Sequence, residues 1–145
     1  MKKFFQLSFL FLFFGACNTT DKKIKEDKKP ENEMEAASQF IRAALDGNYA
    51  KARSLLLKDS TNMQMINIYE NNYNTNFTPD DKRAYKDASI RFLKDTHKLN
   101  DSITIVYFSN SYKNRGDSLK IVKLNGEWLI DLNFTFQPIK DSLPQ

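Results

Sequence analysis

The chain has 145 residues, a formal charge of +4, one cysteine and one histidine. That length allows one domain, and a single cysteine excludes an internal disulfide, so stability must come from a packed core. The positive charge does not point to nucleic acid: Lys2 and Lys3 belong to a leader, five lysines against three acids lie in 21–29, and from Pro30 onward fifteen basic residues balance fifteen acidic ones.

The leader organises the rest. Lys2 and Lys3 precede a run of Phe and Leu from Phe4 to Phe14, broken only by Gln6 and Ser8, and then Gly15, Ala16 and Cys17. This is the tripartite pattern of a secretory signal, too short to span a membrane as a helix. Phe14-Gly15-Ala16-Cys17 resembles a bacterial lipobox, with Phe14 in place of the more usual Leu. The resemblance implies cleavage before Cys17 and lipidation of its thiol. It therefore implies a bacterial cell-envelope protein, anchored to the membrane through several acyl chains on Cys17. Asn18 rather than Asp after the cysteine leans towards the outer membrane, facing the periplasm.

The predicted organisation is a signal peptide over 1–16, the lipidated cysteine and a disordered lysine-rich tether over 17–32, a domain over 33–137 and a loose tail over 138–145. In the domain, helical periodicity predicts helices from Glu33 to Asp46, Tyr49 to Leu57 and Thr61 to Tyr73. The last carries Met65, Ile68, Tyr69 and Tyr73 on one stripe. Asp46-Gly47-Asn48 breaks the first pair, and Thr78-Pro79-Asp80-Asp81 reads as a cap, a first-turn proline and two acids opening a short helix to Lys86.

From Ala88 the period becomes alternating. Ile90 to Lys98 reads as a strand, with a helix as the alternative, and Ile103 to Asn110 as a second strand. Leu119 to Leu124 and Trp128 to Phe136 are expected to pair through Asn125-Gly126, a two-residue hairpin signal. That turn sets Leu124 opposite Glu127, Lys123 opposite Trp128, Val122 opposite Leu129, Ile121 opposite Ile130 and Lys120 opposite Asp131. One face, with Leu119, Ile121, Trp128, Ile130, Leu132, Phe134 and Phe136, is apolar and should carry the helices. The other mixes Val122 and Leu129 with a Lys120–Asp131 ion pair.

Helices followed by a four-stranded antiparallel meander, the segment Ala43-Ala44-Leu45-Asp46-Gly47-Asn48-Tyr49-Ala50-Lys51-Ala52 and the hairpin around Gly126-Glu127-Trp128 resemble envelope lipoproteins of the nuclear-transport-factor-2-like (cystatin-like) superfamily. The resemblance covers 33–136 and implies an α+β fold in which N-terminal helices pack on a curved sheet to form a cone. The Bacteroidetes-type lipoprotein branch is the most similar and carries over no activity.

An enzyme on this scaffold would need an acid or histidine inside the cone. His97, among Asp95, Thr96 and Lys98, reads as solvated; Asp131 is accounted for by Lys120; Asp87 is a further acid to weigh; and Tyr107 reads as strand packing, with a pocket as the alternative. One histidine and a lipidated cysteine offer no metal cluster, and there is no glycine-rich phosphate loop, so no cofactor is expected. The leading expectation is a non-catalytic domain that binds a ligand, a second copy of itself or another envelope protein, with Tyr107, Lys120, Val122, Leu129 and Asp131 as binding residues. The alternatives are a small isomerase- or hydrolase-like enzyme using an Asp in the cone, and an inhibitory or toxin-neutralising lipoprotein. Finally, Asp-Ser recurs at 59–60, 101–102, 117–118 and 141–142, similar to the O-glycan acceptor of some Bacteroidetes-type envelope proteins. The ordinary reading is turn and cap chemistry.

Overall fold

The computed structural model describes residues 28–93 and 96–133. Cys17 and the expected leader and tail therefore lie outside the described residues, as do Phe134, Phe136 and Asp141-Ser142. The architecture is α+β: four helices followed by an open antiparallel sheet of five strands.

Helix α1 (Glu33–Leu45) starts where the Asn32 side chain accepts the Glu35 amide, and buries Ala36, Ala37, Phe40, Ile41, Ala43 and Leu45. It lies across the sheet. Gly47 reverses the chain in the left-handed region (φ 69°), and Asn48 caps α2 (Tyr49–Ser54). That helix is shorter than periodicity predicts. Leu55 and Leu57 instead hydrogen-bond to both sides of Ile130, at 2.9 Å each, so that Leu56 forms a parallel bridge to the sheet's last strand. An edge strand offers free backbone groups, and pairing them while burying Leu55 and Leu56 outweighs another half-turn of helix.

Helix α3 (Ser60–Asn76) is capped by Asp59, and α4 (Pro79–Lys86) by a reciprocal capping box between Thr78 and Asp81. The stripe of α3 differs from expectation. Ile68 is 59 % exposed, whereas Asn62 and Ile66 are fully buried and lead to Tyr69 and Tyr73. The helix is rotated because polar Asn62 finds partners inside, at the end of the sheet. Arg42 ties α1 to the end of α4 by donating to the carbonyls of Lys86 (2.6 Å) and Ala88 (3.0 Å).

The expected first strand is two. β1 (Ile90–Phe92) pairs with Phe108 to Asn110, and β2 (His97–Asn100) pairs with Ile103 to Ile105. Both run along β3 (Ile103–Asn110), which makes five strands rather than four. The interruption falls where the apolar alternation of Ile90 and Phe92 gives way to polar residues. β2 is exposed throughout and bulged between Lys98 and Asn100. β4 (Gly116–Leu124) begins three residues earlier than expected, and β5 (Glu127–Asp131) ends before Leu132.

The β4–β5 hairpin has the derived register at every pair from Leu124–Glu127 to Lys120–Asp131. Asn125 and Gly126 take φ of 50° and 82°, the two positive values of the tight turn that this dipeptide favours. Leu119, Ile121, Ile130 and Leu132 are at most 2 % exposed beneath the helices. Each such side chain contributes about 1.5–3 kcal/mol by leaving water.

Candidate functional site

Strand parity separates two faces. Even positions of β3 and odd positions of β4 point at the helices, so Phe108 and Asn110 face inward beside Asp117 and Leu119. Above them α3 contributes Tyr69 and Tyr73 and α4 contributes Tyr85, while Tyr49 stands at the first turn of α2. These residues surround a cavity of about 170 Å³, closed on the α1 side by Phe40, Ile41, Ala44 and Leu45.

The cavity wall is aromatic. Tyr49 and Tyr73 have ring centroids 5.6 Å apart, Tyr73 and Phe77 5.4 Å, and Phe77 and Tyr85 5.2 Å edge to face, with Tyr112 5.1 Å beyond Tyr85. Edge-to-face and offset contacts of this kind hold ring planes at fixed angles. The Lys82 ammonium lies over the Tyr73 ring at 5.1 Å.

Its polar groups are few. The hydroxyls of Tyr49, Tyr73 and Tyr85 donate to no other described residue. The Asn110 side-chain oxygen accepts the Lys113 amide at 2.9 Å. Asp117 is half-buried, and its Oδ1 accepts the adjacent Ser118 amide at 2.9 Å. Burial pushes the phenols of Tyr49, Tyr69 and Tyr85 above their ordinary value, and the Asp117 carboxylate adds to that at Tyr69 and Tyr85. They are neutral donors at any physiological pH. Among the described residues no three of His, Cys, Asp and Glu converge on a point that could hold a metal.

The residues expected to bind stand elsewhere. Tyr107, Lys120, Val122, Leu129 and Asp131 share the opposite face of the sheet. Tyr107 is paired with Ser118 there and is not among the residues lining the cavity. Odd numbering along β3 turns it away from the helices. Lys120 and Asp131 form the expected ion pair, at 3.0 Å. Burial alone would raise the Asp131 carboxyl, but hydrogen bonds from Lys120 and the Asn133 amide outweigh it and hold it below the usual carboxylate range. Asn62 also reaches Asp131 Oδ1 at 3.4 Å. A carboxylate so engaged is not a free acid. Asp87 is exposed at the end of α4, and His97 is exposed on β2. Ser118 is 3 % exposed inside β4, not at a turn, so the third Asp-Ser pair is closed to an enzyme.

A second hollow, about 380 Å³, lies beside Trp128 and Leu129 and is bordered by Lys28, Lys29 and Pro30. Lys29 pairs with Glu127 across it at 2.5 Å.

Tyr85 was not singled out from sequence, and Asp117 only as half of an Asp-Ser pair. The usable signal was the i, i+4 spacing of Tyr69 and Tyr73, which places two phenols on one helix face. No described helix is long and apolar enough to cross a membrane. No protein-family model, no curated protein and no solved structure matches this chain.

Proposed function

We propose that this is a lipid-anchored cell-envelope protein, held at the membrane through Cys17, whose domain has the nuclear-transport-factor-2-like cone arrangement and binds a small ligand without transforming it. The tyrosine-lined cavity carries this reading: four phenols and few other polar groups face a space of about 170 Å³ between helices and sheet. Binding sites combine apolar walls with a small number of placed polar groups, and a volume near that of the roughly 150 Å³ apolar cavity that admits benzene limits the ligand to about one ring or one branched headgroup. The address rests on the lipobox and on Cys17 as the sole cysteine. The engagement of Asp131 by Lys120 supports binding over acid–base catalysis.

Two experiments test it. A panel of one-ring and branched small molecules should raise the melting temperature of the protein, because a ligand that binds only the folded state stabilises it by mass action. Ala44→Phe, which fills the cavity, should abolish the rise. A panel with no effect on the unaltered protein would overturn the binding reading. Separately, Cys17→Ala should move the protein from the membrane to the soluble fraction of the envelope. An unaltered protein that is already soluble, with no added lipid mass, would overturn the anchor.

A further inference from the structure

The composition of the cavity wall allows the ligand class to be named, given that the cavity is a binding site. Asp117 stands on the inner face of β4 opposite Phe108, and among the described residues no lysine or arginine pairs with it. Its one hydrogen bond among the described residues is local, from the Ser118 amide. A carboxylate without a cationic partner, facing a small space, is a natural counter-charge for a bound cation. Lys113 also borders the cavity, but it is exposed on the turn between β3 and β4, where solvent and salt screen its charge.

The surfaces around Asp117 are those that attract cations. Tyr49, Tyr69, Tyr73 and Tyr85 present phenol rings to one small space, and the electron-rich face of such a ring draws in a positive group within about 6 Å. One ring already does so: the Lys82 ammonium, which does not line the cavity, lies over Tyr73 at 5.1 Å. Tyr49 is only 5 % exposed, and its hydroxyl donates to no other described residue, which leaves that oxygen able to accept from or contact a ligand. Asp117 lines the same space as Tyr69 and Tyr85, and after burial its carboxylate adds to the upward shift of both phenols.

We propose that the cavity binds a small organic cation, an alkylated ammonium group, with the tyrosine rings as its walls and Asp117 as its counter-charge. Alkylation matters because a bare ammonium keeps its water, whereas a methylated one sheds it to pack on ring faces. The cavity volume admits such a headgroup with a short chain and excludes a large aromatic system.

The test compares choline with its neutral tert-butyl analogue, which has the same shape without the charge, by calorimetric titration of the full-length protein in a non-ionic detergent. Choline should bind roughly tenfold more tightly than the analogue, and Asp117→Asn should cut that preference to about threefold, the part the rings supply, while leaving the analogue's affinity within about twofold. Retained binding of the analogue also shows that the variant is folded. Equal affinities in the unaltered protein would overturn the cation assignment and leave the cavity as a neutral-ligand site. Binding of neither probe would overturn both readings. A preference undiminished in Asp117→Asn would overturn the role of Asp117.

Discussion

The Tyr73 hydroxyl occupies the space that a side chain at Gly47 would need: a methyl group on Gly47 would stand 2.6 Å from the hydroxyl oxygen. The turn between α1 and α2 thus does two things at once. Gly47 adopts a positive φ that lets Asn48 cap the next helix, and its missing side chain lets Tyr73 of α3 pack against the turn as part of the cavity wall.

Gly47→Ala should therefore be destabilising on two counts, left-handed backbone and a displaced phenol, by about 1–3 kcal/mol. Chemical denaturation would measure it. Gly47→Ala with Tyr73→Phe removes the oxygen but leaves two ring carbons 2.7 and 2.8 Å from the new methyl as well as the backbone strain, so it should recover only a small part of the loss. Full recovery would place all of the cost in the hydroxyl contact.

Asn62 joins the start of α3 to the end of the sheet. Its side-chain oxygen accepts the Leu132 amide at 2.6 Å, and its amide donates to Asp59 at 2.5 Å. Asn62→Ala leaves that fully enclosed region with an unpaired amide and should cost about 1–3 kcal/mol. Asn62→Asp keeps an acceptor but sets a third carboxylate beside Asp59 and Asp131, so at neutral pH it should lose more. An Asp variant as stable as the parent would refute this account.

Thr104 is fully buried on the inner face of β3, and its hydroxyl is the one buried side-chain polar atom among the described residues without a partner. Thr104→Val keeps the β-branched shape and removes the orphaned group. It should stabilise the protein, by up to about 1 kcal/mol in denaturant titrations. A loss of stability would mean that the hydroxyl has a partner, such as an ordered water.

Tyr49, Tyr69 and Tyr85 are held protonated by burial, then by neighbouring charge. Their folded values lie above the unfolded phenol value of about 10, so the folded state binds more protons in alkali. Their contribution is full below about pH 10 and is lost as pH rises beyond it. A tyrosinate absorbance titration should show part of the six tyrosines ionising only as circular dichroism reports unfolding. Complete ionisation of a still-folded protein would contradict the buried placement.

Much of the fold was legible in sequence because short-range chemistry decides it. Asn125-Gly126 favours one turn geometry, and that turn places every pair of the β4–β5 hairpin, including Lys120 with Asp131. Thr78 and Asp81 specify a helix start through their own hydrogen bonds, and alternation in Ile103 to Asn110 specifies a strand. Reading failed where a distant partner outbid local preference. Leu55 to Leu57 left the helix to pair with Ile130, and β1 and β2 separated where polar residues ended the alternation.

The candidate site belongs almost wholly to the tertiary structure. Sequence determined the order of the helices and of the later strands and the two faces of the hairpin, all of which depend on neighbours within a few residues. It placed Tyr69 and Tyr73 together on a helix but could not bring Tyr49, Tyr85 and Asp117 to them, because those residues come from three other elements. Asn62 is polar, yet it is buried because its partner Leu132 lies seventy positions away. Only packing decides which polar groups meet inside, since their cost of burial is offset by partners that no local pattern encodes.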